Sequence, residues 1–257
     1  MRASTLLGYA LAAMLVTIAV QARGQQPAAA PAERDAKAID ALNRVGAYLR
    51  TLKDFRVRAE TTKDEVVGDG QKIQFGGSVD YRVHQPDRLR ADVKSDRVQR
   101  QFYYHDATLT QYAPRAGYYA TVKTPATIAE TLQVAHQKFD IDIPLADLFF
   151  WGTPKSGVDD IKSAVVVGSA FVNGVESDHY AYRQDDVDWQ LWVARGASPL
   201  PQKLVITTRT NPAQPQYTAV FKWDTNPKFD ATTFAFAPPK DAIKIGQAAT
   251  SAAPAKN

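Results

Sequence analysis

The residues from which catalysis would have to be built are few and scattered. The four histidines, His84, His105, His136 and His179, lie far apart, and none forms the His-x-x-x-His pair that seats zinc on a helix. The one acidic cluster, Asp185, Asp186 and Asp188, lacks the glycine turn and terminal glutamate of a calcium loop and reads as a solvated hairpin corner. No Gly-x-x-x-x-Gly-Lys phosphate loop occurs. The nearest string to a nucleophile elbow, Gly76-Gly77-Ser78-Val79-Asp80, lacks its last glycine and sits inside a strand pattern. Asp178 precedes His179, as a carboxylate orienting a general base would, yet no nucleophile accompanies them and a hydrogen-bonded strand histidine is the plainer reading. With no cysteine, thiolate chemistry, disulfides and lipidation of a thiol are excluded. No catalytic residue, metal ligand or cofactor site is therefore assigned.

The aromatic residues carry more weight. Trp189, Leu191 and Val193 alternate on one side of a strand, with Gln190 and Trp192 on the other, so neither face of that strand is purely solvent. One reading of the aromatics is ordinary packing. The other is the lining of an apolar cavity between a curved sheet and helices, formed by Tyr81, Tyr104, Ile128, Leu132, Phe139, Leu148, Phe149, Phe150, Trp151, Trp189, Trp192 and Trp223.

The elements that would position these residues are mostly strands. A helix is expected from about Glu33, with Ile39, Leu42, Val45, Leu49 and Leu52 as one apolar stripe. Strict alternation follows: Phe55, Val57 and Ala59, then Ile73 to Val83, with Gly76 and Gly77 predicting a bulge or strong curvature. Further strands are expected around Leu89–Val93, 101–104, 108–112 and 118–122. Thr124 and Pro125 then suggest a helix entry, with Ile128, Leu132, Ala135 and Phe139 as its buried stripe. A short second helix after Pro144 ends near Gly152. Strands resume at Ala164, turn at Asn173-Gly174, form a hairpin over Asp185–Thr208, continue through 216–224 and finish in a short FAF segment, Phe234–Phe236. About ten antiparallel strands with helices on one side predict a mainly β, α+β fold: a curved sheet forming an incomplete barrel, covered by an N-terminal helix and a mid-chain helical lid.

The 257 residues suffice for one such domain, expected over 33–246, with a disordered Pro/Ala/Gln linker at 23–32 and a flexible tail from 247 to 257. Residues 1–22 read as a signal peptide, because Arg2 precedes an apolar run of about 15 residues, short of the ~20 that span a bilayer. A periplasmic protein that is neither a lipoprotein nor membrane-spanning after cleavage is expected. The net charge of +4 is spread among both signs without a basic run, which argues against nucleic acid as a partner.

Five strings occur in order: Pro86-Asp87-Arg88-Leu89-Arg90, Pro125-Ala126-Thr127-Ile128, Pro144-Leu145-Ala146-Asp147-Leu148, Asp186 to Trp192 and Pro199 to Ile206. Together they resemble a bacterial family of predicted periplasmic proteins, DUF2092, over roughly Ala36 to Ile245. Ser177 stands where that pattern often has cysteine, which argues against an essential thiol. The family is similar to the lipoprotein-carrier (LolA-like) superfamily, whose incomplete barrel surrounds an apolar cavity. The resemblance implies an apolar ligand, a lipid or acyl chain, and assigns no catalytic residue. Three functions remain open: a carrier for such a ligand, a sensor or interaction module that binds an envelope protein, and a hydrolase built from scattered residues such as Asp178 and His179.

Overall fold

Helix α1 (Ala36–Thr51) opens the fold in the computed structural model, which describes residues 33–230 and 232–249. The expected export signal at 1–22 and linker at 23–32 lie outside the described residues, as does most of the expected tail. The helix starts three residues later than its periodicity suggests. Glu33 and Asp35 form backbone hydrogen bonds with Ala164 instead (2.9 and 2.8 Å), and the Asp35 carboxylate caps the helix by accepting from the Lys37 amide. Ala38, Ala41, Leu42, Val45, Gly46 and Leu49 form its buried stripe.

Strands β1 (Asp54–Val67) and β2 (Gln71–His84) make a long hairpin around Gly68–Gly70, and β3 (Arg88–Ser95), β4 (Gln99–His105), β5 (Thr108–Ala113) and β6 (Tyr118–Lys123) continue the meander. A helical excursion follows, containing α2 (Ile128–Phe139) and two short 3₁₀ turns, Ala146–Phe149 and Val158–Asp160. A second meander comprises β7 (Ser163–Val172), β8 (Val175–Arg183), β9 (Val187–Ala194), β10 (Pro201–Thr208) and β11 (Gln216–Asp224). Because β11 pairs with β1, the two meanders join into one twelve-stranded sheet, open between β7 and the two-residue β12 (Ile243–Lys244). All pairings are antiparallel except β12 on β6.

Period-two alternation gives this sheet a helix-facing side and an outer side. Phe55, Val57 and Ala59 point inward beside Val79, Tyr81 and Val83, and Leu191, Val193, Leu204, Ala219 and Phe221 continue the buried floor. The outer side of the first three strands carries an ion-pair ladder instead: Arg56–Asp80 (2.6 Å), Asp80–Arg82 (2.8 Å), Arg82–Asp92 (2.5 Å) and Asp92–Arg90 (3.1 Å).

Two local expectations are corrected. Gly76 and Gly77 keep the β1–β2 register without a bulge; the irregularities fall at Val166/Gly168 and Pro201/Lys203. Gly77 answers a close approach, since a Cβ there would lie 2.7 Å from the Lys94 carbonyl oxygen. Phe234–Phe236 is not a strand: Phe234 ends a turn from Thr232, and Phe236 packs against the rings of Tyr103, Tyr112 and Tyr119.

Gly46 sets how closely the helix approaches the rest: a Cβ on it would fall 1.8 Å from the Trp151 carbonyl oxygen. A Gly46→Ala substitution is expected to lower stability by roughly 1–3 kcal/mol through overpacking. Urea unfolding measures this, and an unchanged midpoint would contradict the described contact.

Candidate ligand groove

The chain between β6 and β7 lies over the inward side of the sheet. Its helix begins at Ile128 rather than at Thr124-Pro125. Thr127 and Glu130 form a reciprocal capping pair, with Thr127 Oγ1 accepting the Glu130 amide (3.3 Å) and donating to its carboxylate (2.7 Å). The Pro125 carbonyl is used elsewhere, accepting from the hydroxyls of Tyr104 (2.9 Å) and Thr131 (3.1 Å). After α2, Asp140 and Leu145 adopt left-handed backbone conformations, which turn the chain back across the sheet. A branched side chain pays for φ = +66° at Leu145, and burial with Ile141, Ile143 and Leu148 offsets that cost.

Two side chains pin this cover. Tyr81 Oη donates to the Pro144 carbonyl at 2.6 Å, and burial pushes that phenol well above its ordinary value, so it stays a donor. Arg50 donates from Nη1 to the Trp151 carbonyl (2.8 Å) and from Nη2 to that of Gly152 (3.2 Å). Ring contacts add to both: Phe149 meets Tyr81 edge-on at 5.7 Å, and Trp151 lies parallel to Trp189 at 6.4 Å.

The residues singled out from sequence are distributed unevenly around this cover. Tyr81, Tyr104, Ile128, Leu132, Leu148 and Trp151 are buried in the packed interior, and Phe139, Phe149, Phe150, Trp189 and Trp223 are half-buried against it. Trp223 donates from Nε1 to the Pro201 carbonyl at 2.6 Å. Trp192 lies on the outer side, stacked on His179 at 4.0 Å and covered by the Lys203 ammonium.

Unfilled space remains on either side of the Pro144–Asp147 arch. One hollow, ≈ 230 Å³, is walled by Trp151, Val187, Trp189, Leu204 and Ile206, with Asp147 and Gln184 as polar members. The other, ≈ 380 Å³, has Thr61, Phe75, Gly77, Val79, Val93 and Tyr217 on its floor and Pro144 at its inner edge. Ile206 and Tyr217 are direct cross-strand partners, so the floors of the two hollows adjoin on the sheet. Sequence reasoning missed this floor; its one visible signal was Gly77, a missing side chain within strict alternation.

Asp147 is reached by solvent yet walled by protein, and desolvation raises its carboxyl above the ordinary range. Burial pushes the Tyr217 phenol up to about 12. The Asp178–His179 arrangement is not assembled: the Asp178 carboxylate accepts from Arg195 (2.6 Å), while His179 Nε2 meets Gln190 Oε1 (3.0 Å) and burial lowers its pKa. The acidic corner is neutralised locally, with Arg183 holding Asp188 below the usual carboxylate range.

The DUF2092 family profile, described as a predicted periplasmic protein, matches residues 38–247. No curated protein matches the chain at a significant level. Similar solved structures include an uncharacterized conserved protein from Thermus thermophilus, at 11% identity and TM-score 0.47, covering 82% of this chain and 99% of that one. The lipoprotein LppX of Mycobacterium tuberculosis is similar at 9% identity and TM-score 0.46, covering 76% and 100% of the two chains. A LolA superfamily protein from Nitrosomonas europaea is similar at 8% identity and TM-score 0.33, covering 77% and 97%. Among the described residues, no helix is long and apolar enough to cross a membrane.

The raised Asp147 carboxyl has a consequence for stability. Its proton is bound more tightly in the folded state, so its contribution is present below the ordinary carboxylate range and is lost as pH rises through the raised value. Relative to Asp147→Asn, the wild type is expected to lose thermal stability as pH rises above the ordinary carboxylate range of about 4. A constant difference in melting temperature across that rise would contradict the placement of Asp147.

Proposed function

Because the chain belongs to the DUF2092 family of predicted periplasmic proteins, we propose that it is a soluble periplasmic binding or carrier protein for an apolar ligand, a lipid or acyl chain. The ligand would lie in the groove that runs under the Pro144–Asp147 arch. The observation that carries this reading is the pair of hollows whose largely apolar floors adjoin on the two sides of a pinned cover. A chain burying about 200 Å² of apolar surface there would gain about 5 kcal/mol, enough for reversible carriage without elaborate polar recognition.

One observation favours a second reading, a module that binds an envelope protein. Strand β7 is a sheet edge that carries no charged residue, and Val165, Val167 and Phe171 stand exposed along it. Such an edge is a template for an added strand.

Native mass spectrometry of protein purified from periplasm without detergent, followed by organic extraction, separates the two. The carrier reading expects a mass excess that extracts as a defined lipid. Ile206→Glu, which places a charge on the half-buried floor, is expected to reduce uptake of a fluorescent acyl probe at least tenfold with an unchanged circular dichroism spectrum. A clean apo mass together with undiminished probe binding by that variant would sink the carrier reading. A co-purifying polypeptide without lipid would support the second.

A further inference from the structure

The groove is electrically asymmetric. Lys63 lies on the inward side of β1 at the mouth of the larger hollow, flanked by its cross-strand neighbours Phe75 on β2 and Tyr217 on β11. Its ammonium makes no ion pair or hydrogen bond among the described residues. Arg97 reaches the same mouth, where it stacks over the Phe75 ring at 4.3 Å and pairs with Glu65 at 2.8 Å. Lys94 also lines this hollow, so its cations outnumber its one carboxylate, Glu65.

The opposite end has the reverse character. Asp147 makes no ion pair among the described residues, and the hollow toward Trp189 is walled by indole, amide, hydroxyl and aliphatic groups with no basic side chain, while Lys155 and His136 border the hollow on the other side of Asp147. An anionic group pushed to that end would meet the Asp147 carboxylate with no basic side chain of that hollow to offset it. At the Lys63 end it would meet an unpaired cation beside two aromatic rings. Between the ends lie Val79, Val93, Ile206 and the ring of Tyr217, which offer an acyl chain mainly apolar contact, the buried Tyr217 hydroxyl being the polar exception.

We propose that the groove takes a single-chain amphiphile with an anionic head, the head at Lys63 and the chain running beneath Pro144 toward Trp189. This rests on the reading of the groove as an apolar ligand site and adds the ligand's charge, chain number and direction. Hollows of ≈ 380 and ≈ 230 Å³ are modest against typical ligand pockets of roughly 300–1,000 Å³, which suits one chain. A carboxylate head and a phosphate head share the required chemistry.

The test measures binding of palmitate, palmitoyl lysophosphatidic acid, monopalmitoylglycerol and hexadecyltrimethylammonium to the wild type and to Lys63→Gln and Lys63→Glu, by titration calorimetry. Lys63 is exposed, so these changes leave the core intact. The expected result is that Lys63→Glu weakens one or both anionic ligands roughly tenfold, Lys63→Gln weakens them less, and monopalmitoylglycerol is unaffected. Loss confined to palmitate identifies a carboxylate head; loss confined to the lysophospholipid identifies a phosphate. Equal loss for the neutral ligand, or no loss for any, overturns the assignment of the head while leaving the apolar groove standing. Tighter binding of the cationic amphiphile than of either anion reverses the direction and also overturns it. Failure of all four to bind the wild type overturns the groove reading itself.

Discussion

The hydrogen bond from Tyr81 to the Pro144 carbonyl fixes the arrangement on which the rest depends. It joins the middle of the sheet to the middle of the cover, at a point where the fully buried Tyr81 side chain has no water to turn to. Breaking it would strand a buried phenol and a backbone carbonyl, and an unmade buried bond costs more than a made one gains. Left-handed Leu145 follows immediately, so the carbonyl is presented by a backbone turn that only tertiary packing can hold. Arg50 and the absent side chain at Gly46 repeat the device one turn further on, at Trp151. Together they hold the cover close at two places and leave the sheet floor unfilled to either side.

Much of this fold was legible because strands announce themselves by alternation. The inward residues of β1, β2 and β9 fall where period two puts them, and Asn173-Gly174 marks its hairpin. The start of α2 was misread because Thr124-Pro125 imitates a helix entry. The capping pair Thr127–Glu130 was also in the sequence, and it prevailed because Tyr104 and Thr131 both bond the Pro125 carbonyl. No local rule announces such long-range competition.

The groove was harder to read than the fold. Sequence reasoning chose the largest aromatic residues as a lining, but large side chains fill space as often as they border it. Tyr81 and Tyr104 are fully buried, whereas the open floor is bordered by Gly77, Val93, Ile206 and Tyr217. What makes a hollow is a missing or small side chain opposite a cover that cannot sink, and that relation spans distant parts of the chain. Trp192, which alternation sets on the face opposite Trp189, lies on the outer side against His179.

A cover fastened at Pro144 and Trp151 changes how entry must occur. A lid that swings open would have to break the Tyr81 and Arg50 contacts and expose Phe149, Trp151 and Leu148 together, which costs several buried side chains at about 1.5–3 kcal/mol each. The two hollows reach solvent at either side of the arch without any such opening. A flexible chain can thread from the side, exchanging water for apolar wall one segment at a time. On the proposed carrier reading, the fixed cover would roof the path of the ligand, and the strength of binding would be set by how much floor the ligand reaches on either side of it.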